Sequence, residues 1–235
     1  MAENALLLAA IEDNVSWCSA MCTSHHSDER ITARVWANLV PSPLYYPNLI
    51  TRLPHSQPDI AGYLEKIREN CAPETWAIKD SFRDLDLSGF GFEPVIEGQW
   101  FGLDPAPRGR RGEHLWQAVR TAEELSHWET AWNADGDRRL FKDVLLADMR
   151  VRFWMLRHDG EIVAGCISFA SETAIGLSNW FSRRPESVFE LGLLGPITDQ
   201  VWGKPIVFWT DEPAASFAGF GFKPLGPLRV WMTQP

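Results

Sequence analysis

Apolar and polar residues alternate along the chain in short segments. In some segments the apolar residues recur at the spacing of a helix, and in others at the spacing of a strand. In the first half, apolar residues recur at helical spacing over 3–21. A second helix is predicted over 59–70, with Ile60, Leu64 and Ile67 on one face. The stretches RITARVWANLV, LITRL, TWAIKDSF and PVIEGQWFGL predict strands, and RDLDLS predicts a short helix before the last of them.

The second half predicts a strand, two helices, a three-stranded meander, a helix, a strand, a short helix and a last strand. Thr121 and Glu124 form a capping box at the start of the first helix, and RLFKDVLLA predicts the second. The dipeptide Asp159-Gly160 between two apolar stretches predicts a hairpin. Pro196 is expected to break the later helix.

One hexapeptide occurs twice, as GFGFEP from Gly89 and as GFGFKP from Gly219, at an offset of 219 − 89 = 130 residues. At this offset WAIKDSF aligns with IVFWTDE, and VIEGQWF aligns with LGPLRVW, without gaps. In both places a short helix is expected to end at a glycine in the left-handed conformation, and a strand follows. The repeat therefore predicts two related half-domains.

These patterns predict an α/β (α+β) fold of two modules, each with a mixed, mostly antiparallel sheet flanked by helices. The first module, which is truncated, covers 1–103, and the second covers 113–235. Residues 104–112 are interpreted as a linker, because DPAPRGRRG combines Pro, Gly and Arg without an apolar period.

Composition is that of an ordinary globular protein, with 235 residues, 45% of them hydrophobic and 23% charged. The apolar run 5–11 is too short to span a bilayer and follows no basic segment, so neither a membrane anchor nor a secretory signal is expected. The four cysteines are irregularly spaced, which favours reduced thiols and a cytoplasmic protein over a disulfide framework.

The net charge of −9 disfavours nucleic acid as a partner, because an acidic surface repels the phosphate backbone. Arg108, Arg110 and Arg111 are interpreted as a solvated part of the linker rather than a phosphate site. The 12 Trp and 13 Phe can fill a core, or line a pocket for a flat or apolar small molecule.

Three features stand out over about 113–233: the Asp159-Gly160 hairpin, the strand AIGLSNWF, and the strand-helix-GF-strand ending at Gly221-Phe222. Together with the order of the elements, they resemble the GNAT N-acyltransferase superfamily. Residues 1–103 resemble a shortened copy of the same fold, and the ending GPLRVW is similar to that of uncharacterised actinobacterial proteins. A fold does not by itself define an activity.

The resemblance implies that acyl-CoA is the cofactor and that its pantetheine arm pairs with the exposed backbone of Leu177, Ser178, Asn179, Trp180 and Phe181. The following loop normally carries glycines, whose backbone N–H groups hold the pyrophosphate at a helix N-terminus. Here that loop is SRRPESV, which has no glycine. Arg183 and Arg184 are the candidate phosphate contacts, and Glu186 is unfavourable for an anion.

The resemblance also implies a Tyr four residues before the Gly of the GF pair, as the acid that protonates the leaving thiolate. Phe217 stands there, and Leu87 stands at the equivalent position of the first copy, so neither module has this acid. Asp211 and Glu212 follow the strand IVFWT and are the candidate catalytic bases. Capping of the next helix is the alternative, and better supported, interpretation of these two carboxylates.

Trp36, Tyr45, Tyr46, Phe217 and Arg229 are the candidate substrate-binding residues, since aromatic side chains in a proline-rich loop can stack on a ligand. Packing of the loop on its own aromatics is equally compatible with the pattern, as is an outward position for Arg229.

Cys18, Cys22, His25 and His26 lack the spacing of a zinc site, so no metal is expected there. Cys166 is interpreted as a core residue because apolar residues flank it.

Three kinds of function stay open at this point. The leading hypothesis is an acyl-CoA-dependent N-acyltransferase that acts on a small molecule. The alternatives are a GNAT-fold protein that has lost CoA binding and catalyses a cyclisation or rearrangement in an aromatic-lined cleft, and a non-catalytic ligand-binding protein. Transfer from aminoacyl-tRNA is disfavoured by the charge of −9.

Overall fold

The computed structural model describes residues 3–71, 75–104, 115–133, 139–200 and 203–234. The chain divides into two compact units. Unit 1 contains Met1–Phe101 and Trp209–Pro235, and unit 2 contains Gly102–Phe208. Most of the predicted linker, including its three arginines, lies outside the described residues.

The described elements alternate between helices and strands. The helices are α1 (Glu3–His25), α2 (Gln57–Cys71), α3 (Ala122–Trp132), α4 (Leu194–Gln200) and α5 (Ala215–Ala218), with 3₁₀ turns at Ser88–Phe90 and Asp143–Ala147. The strands are β1 (Glu29–Ile31), β2 (Val35–Asn38), β3 (Leu49–Thr51), β4 (Ala77–Asp80), β5 (Phe92–Leu103), β6 (Gln117–Ala118), β7 (Val151–His158), β8 (Glu161–Ala170), β9 (Ile175–Ser182), β10 (Ile206–Thr210) and β11 (Lys223–Thr233). Within the described part of the chain, no helix combines the length and the apolar character that a membrane span requires.

The sheet of unit 1 has the strand order β1-β2-β3-β4-β11-β5. Strands β3 and β4 are parallel, whereas β11 runs antiparallel to β4, with Val230 opposite Lys79. The apolar face of α2, formed by Ile60, Leu64 and Ile67, belongs to the core cluster that covers one face of this sheet. The helix face predicted from the sequence is therefore confirmed.

Unit 2 contains the strand order β10-β9-β8-β7-β6. The β7–β8 hairpin turns at Asp159 and Gly160, which both have positive φ angles (49° and 87°), as its short turn requires. At the start of α3, Thr121 and Glu124 form both hydrogen bonds of the predicted capping box. These two local predictions are confirmed.

Aromatic rings fill the core of unit 2. Trp128 of α3 contacts Phe141, Phe153 and Phe181 edge-on, with ring centroids 5.3–5.6 Å apart. Gly165 of β8 lies directly beneath this cluster, because an added Cβ there would be 2.5 Å from Nε1 of Trp128. Only a glycine leaves room for the rings at this position.

Two predicted elements differ from the structure because local contacts interrupt them. RITARVWANLV forms the two strands β1 and β2, since the Thr32 hydroxyl accepts hydrogen bonds from the backbone N–H groups of Arg34 and Val35. RLFKDVLLA forms only a 3₁₀ turn. The Leu140 N–H donates to the Glu129 carboxylate, which removes it from any helical hydrogen bond.

The two hexapeptides have the same local conformation at their second glycine. Gly91 and Gly221 have φ angles of 80° and 87°, and the buried residues Phe92 and Phe222 follow them. Because both hexapeptides lie in unit 1, the compact units do not coincide with the proposed modules 1–103 and 113–235. The module boundaries stay a prediction, because they were drawn from the repeated sequence. The compact units are defined instead by which residues contact one another.

Candidate functional site

Strands β9 and β10 part shortly after they begin. Their parallel pairing consists of Ile206 opposite Ile175 and Val207 opposite Gly176. Beyond Gly176, β9 continues to pair with β8 but has no further described pairing with β10. A strand edge of this kind is where an extended ligand can add in the manner of a further strand.

A β-bulge lies in β9 shortly after its last described pair with β10. Gly165 faces Phe181 and Ile167 faces Ser178, so β9 has two residues, Asn179 and Trp180, opposite one residue of β8. Asn179 has a φ angle of 50°, a left-handed conformation that Asn tolerates better than most residues. Bulges bend a strand and redirect its side chains, and they are common beside active sites.

Three aromatic rings form a surface beside the divergence, and we call this set the aromatic floor: Trp180, Phe189 and Phe208. The Trp180 ring lies 5.2 Å from Phe208 and 6.2 Å from Phe189, measured between centroids. Side chains stand roughly perpendicular to a sheet, whereas the backbone groups of a strand edge lie in its plane. The floor can therefore cover one face of the sheet without lying in the plane of the strand edge.

Phe181 packs on the opposite face of β9 from the aromatic floor. Its ring lies 5.4 Å from Trp128, above Gly165. The side chains of Trp180 and Phe181 thus hold the bulged strand from both faces. Sequence reasoning identified these two residues but missed Phe189 and Phe208, whose only signal was membership in an aromatic-rich half of the chain.

Cys166 lies opposite the bulge and is fully buried. Its Sγ is 3.3 Å from the carbonyl oxygen of Ile167 and 3.6 Å from that of Ser178. Burial raises the pKa of this thiol well above its usual value, so it stays protonated and is a poor nucleophile. Its environment is that of a core residue.

The two arginines after β9 are engaged in local contacts. Arg183 donates from Nη2 to the carbonyl oxygen of Ala131, 3.0 Å away, at the C-terminus of α3. Arg184 contacts the carboxylate of Glu186, with Nε and Oε2 3.4 Å apart. Both guanidinium groups therefore have a protein partner where the resemblance implies a phosphate ligand.

The start of the next helical turn is occupied by a carboxylate. The Ser187 N–H donates to Oε2 of Glu190 over 2.7 Å, and the Glu190 N–H donates to the Ser187 hydroxyl over 3.3 Å. This arrangement is a capping box, and it uses an N–H group that would otherwise face an anion. The residues of this loop do not fit the pyrophosphate of CoA.

The two candidate bases follow β10 directly. Asp211 and Glu212 are exposed, and the Glu212 N–H donates to the Thr210 hydroxyl over 3.2 Å. The N-cap of α5 is Ala214, and no side chain caps this helix. Neither carboxylate therefore caps α5 through a side-chain hydrogen bond, so the contacts of α5 do not support the helix-cap interpretation.

The position implied for a general acid is buried in both copies. The Phe217 side chain is 2% exposed, and its ring lies 5.0 Å from that of Phe101. Leu87 is fully buried. Neither side chain can donate a proton, and Phe217 is enclosed by its own unit.

The aromatic residues proposed for substrate binding occupy different environments. Trp36 of β2 is fully buried and donates from Nε1 to Glu29 over 3.2 Å. Tyr46 is buried beside Trp17, and burial raises its pKa well above the usual value. Tyr45 is 67% exposed and has a φ angle of 71°. Of these three side chains, Tyr45 alone is placed to meet a ligand from solvent.

Arg229 is the last of the predicted site residues. Its Nε donates to Oε1 of Glu97 over 2.6 Å, and Arg83 binds Oε2 of the same carboxylate over 2.7 Å. The Arg229 guanidinium also lies 5.0 Å from the centre of the Trp231 ring. Partly exposed ion pairs of this kind contribute little to stability, so they leave Arg229 free to exchange partners.

The cysteines of α1 remain thiols. Burial raises the pKa of Cys18 to about 11 and that of Cys22 to about 12, and Cys22 contacts the Ser42 hydroxyl at 3.7 Å. Within the described residues, no group of three or more His, Cys, Asp or Glu side chains is placed to hold a metal ion.

Similarity to known proteins lies at the level of the fold. No family profile matches the chain, and no curated protein sequence does. A GCN5-related N-acetyltransferase from Kribbella flavida superposes with a TM-score of 0.65 at 12% identity, over 96% of each chain. A candidate GNAT-family acetyltransferase from Novosphingobium aromaticivorans gives 0.62 at 12% identity, over 96% of this chain and 97% of that one.

The C-terminal domain of a candidate lysylphosphatidylglycerol synthetase from Agrobacterium fabrum is also similar, with a TM-score of 0.51 at 13% identity over 99% of this chain and 92% of that domain. Together these likenesses show that the chain has a GNAT-like fold, with a mixed sheet flanked by helices. The predicted fold class and the resemblance are confirmed. The activities in the names of these proteins are not thereby shown for this chain, because a shared fold does not define an activity.

Proposed function

We propose that the protein is a GNAT-like N-acyltransferase that moves an acyl group from a thioester to an amine on a small molecule. The observation that carries this proposal is that the described pairing of β9 with β10 ends at Gly176, shortly before a bulge in β9. This divergence leaves a strand edge with no further described pairing to β10 beside an apolar floor, a combination suited to a narrow, amide-bearing chain such as a pantetheine arm.

The two ends of CoA fit this chain differently. The backbone of β9 from Leu177 to Phe181 is the edge proposed to hold the pantetheine arm, while Trp180 covers one face. The loop after β9 lacks glycine and contains Glu186 and Glu190, so it does not fit the pyrophosphate. When bound, the thioester supplies an activated acyl group.

The proposed reaction needs one proton acceptor, because the attacking amine becomes an ammonium. The amine nitrogen attacks the carbonyl carbon, the C–S bond breaks, and the thiolate leaves with its electron pair. A thiol with a pKa near about 8.5 needs little help from an acid, which is compatible with Phe217 at the acid position. Asp211 or Glu212 is the proposed acceptor of the ammonium proton.

The acceptor substrate is proposed to be a small molecule rather than a nucleic acid, which the charge of −9 disfavours. Tyr45 and Arg229 are the proposed contacts with it, because one is exposed and the other holds an exchangeable ion pair. A cytoplasmic setting is proposed from the four free cysteine thiols.

Acetyl-CoA is expected to bind the wild-type protein, and Trp180→Ala is expected to weaken binding about tenfold, or about 1.4 kcal/mol, through loss of the aromatic floor. Isothermal titration calorimetry measures both values. Met149→Ala, which changes an exposed apolar residue of unit 2, is the control and should bind as the wild type does. Absence of both heat and a shift in melting temperature with acetyl-CoA contradicts the proposal.

S-Acetylpantetheine is expected to bind within about threefold of acetyl-CoA, because the loop after β9 offers no phosphate cradle. The affinity of acetyl-CoA should also change little between low and moderate salt, and Arg184→Ala should leave it unaltered. Parallel calorimetric titrations of the two donors test this. A preference of a hundredfold for acetyl-CoA would show that the phosphates are bound after all.

A second candidate is a GNAT-fold protein that no longer binds CoA. The contact between Trp180 and Phe208 favours it if the indole crosses the gap rather than lining one face. Such a protein would bind a flat ligand, or cyclise or rearrange it, against the aromatic floor. Failure of both acetyl-CoA and S-acetylpantetheine to bind, together with quenching of tryptophan fluorescence by aromatic ligands that is lost in Trp180→Ala, selects this candidate.

A further inference from the structure

The backbone donors of the loop after β9 are used within the loop itself. The Arg184 N–H donates to the Ser182 hydroxyl over 3.1 Å, and the Leu191 N–H donates to the carbonyl oxygen of Ser187 over 3.0 Å. The N–H groups of Ser187 and Glu190 form the capping box of this segment. These backbone donors are already paired, so they cannot also hold a diphosphate.

The loop also lacks a helix N-terminus that would favour an anion. Residues 188–193 form turns, and α4 begins only at Leu194, twelve residues after β9 ends at Ser182 (194 − 182 = 12). The described stretch 183–193 contains no helix, so no helix dipole adds positive potential there. Glu186 and Glu190 add negative charge instead. This loop therefore disfavours the nucleotide end of CoA, which carries a diphosphate and a further phosphate.

Arg183 supplies a positive charge beside the end of β9. Its Nη2 contacts the carbonyl oxygens of Ala131, 3.0 Å away, and Thr130, 3.5 Å away. Carbonyl groups accept its N–H donors but leave its charge in place. The charge of Arg184, in contrast, is paired with Glu186. Because Arg183 is exposed, its guanidinium can meet a single phosphate from solvent.

We propose that the acyl donor is a phosphopantetheine thioester joined to a carrier protein through a single phosphodiester, rather than free CoA. This inference rests on the proposed function, because it takes the edge of β9 as the place of the pantetheine arm. A phosphodiester has a single negative charge, which the Arg183 guanidinium matches with charge-assisted hydrogen bonds. The carrier stands where CoA has its nucleotide, so no further phosphate meets Glu186 and Glu190.

The acyl transfer is chemically the same with this donor. The amine nitrogen attacks the thioester carbonyl carbon, the C–S bond breaks, and the thiolate leaves with its electron pair. The thiolate stays attached to the carrier through the pantetheine arm and takes up a proton from water. The step needs no oxidant, reductant or further cofactor.

Calorimetric titrations at pH 7 compare three donors: acetyl-CoA, S-acetylpantetheine, and a short serine peptide that carries acetyl-phosphopantetheine as a phosphodiester. The peptide donor is expected to bind at least about fivefold more tightly than each of the others, because it alone presents a single phosphate. An acetyl-loaded bacterial acyl carrier protein should bind at least as tightly as the peptide. The same carrier without the arm should bind at least about tenfold more weakly than its loaded form.

Arg183→Gln is expected to remove the preference for the peptide donor and to leave the affinity for S-acetylpantetheine unchanged, whereas Arg183→Lys should retain most of the preference. Arg139→Gln, which removes another exposed arginine of unit 2, is the control and should bind all donors as the wild type does. An equal loss for all three donors in Arg183→Gln would show a structural role at the end of α3 and overturn the assignment of this residue.

The outcomes separate this inference from the proposed function. Acetyl-CoA bound as tightly as the peptide donor overturns the inference and leaves the proposed acyl transfer intact. A loaded carrier protein that binds more weakly than the peptide contradicts the assignment to a carrier. If none of the three donors binds, the proposed function fails, and this inference fails with it.

Discussion

Lys79→Met is expected to stabilise the protein at pH 7, by up to about 3 kcal/mol, and to lose this advantage as the pH approaches about 10.5. Burial lowers the pKa of Lys79 from 10.5 to about 8, so between these values the unfolded chain binds a proton that the folded protein does not. The stability of the wild type therefore rises with pH across this interval. Below about 8 the full cost of the buried charge is present.

Urea denaturation of wild type, Lys79→Met and the control Lys66→Met, which removes an exposed lysine of α2, measures this difference at pH 7, 9 and 10.5. Cys18 and Cys22 act in the opposite direction: their raised pKa values contribute stability that is lost as the pH rises through about 11 and 12. The contribution of Cys22 is common to wild type and variant, whereas the pKa of Cys18 depends on Lys79, so the comparison is cleanest at pH 7, where both thiols are protonated. A variant that is less stable than wild type at pH 7 would show that Lys79 contributes net stabilising contacts.

Gly165→Ala is expected to destabilise the protein by about 3 kcal/mol, at the upper end of the usual cost of overpacking. The new methyl group would overlap Cε1 of Phe181 and lie 2.5 Å from Nε1 of Trp128. The indole cannot move away freely, because its N–H donates to the carbonyl oxygen of Trp154 over 2.8 Å. Phe181 must therefore shift, and it carries the bulged segment of β9 with it.

Thermal unfolding and donor binding are both measured for this variant. Gly62→Ala is the matched control, because a Cβ at Gly62 meets nothing within 4 Å and alanine favours the α2 helix. The control should be slightly more stable than wild type. Phe181→Leu in the Gly165→Ala background should recover part of the loss. A change below about 0.5 kcal/mol for Gly165→Ala would mean that this core is looser than its ring contacts indicate.

Local elements of the fold were predictable because their signals lie within a few residues. The Thr121 capping box, the Asp159-Gly160 turn and the apolar face of α2 each depend on near neighbours in the sequence. The pairing of β11 with β4 was not predictable in this way. It depends on a contact between residues about 150 positions apart, which no local pattern specifies.

The candidate site was predictable only in outline. Resemblance identified the strand that contains Asn179 and Trp180, but the bulge depends on how β8 and β9 align. Phe208 belongs to the aromatic floor because β10 separates from β9 next to this residue. Composition also could not separate Tyr45 from Tyr46, because adjacent residues of a proline-rich loop face solvent and core respectively.

The contact between Lys79 and Trp209, in which Nζ lies 4.3 Å from the centre of the indole ring, is one that a single chain can form and a symmetric pair of identical half-chains could not. The two residues stand at equivalent positions of the repeat, since 209 − 79 = 130, and their side chains touch. In a dimer of identical half-chains, such a self-contact would bring together two copies of the same residue. Two lysines would repel, and two indoles would compete for one volume. Covalent joining of the halves permits a cation on one side and an aromatic ring on the other.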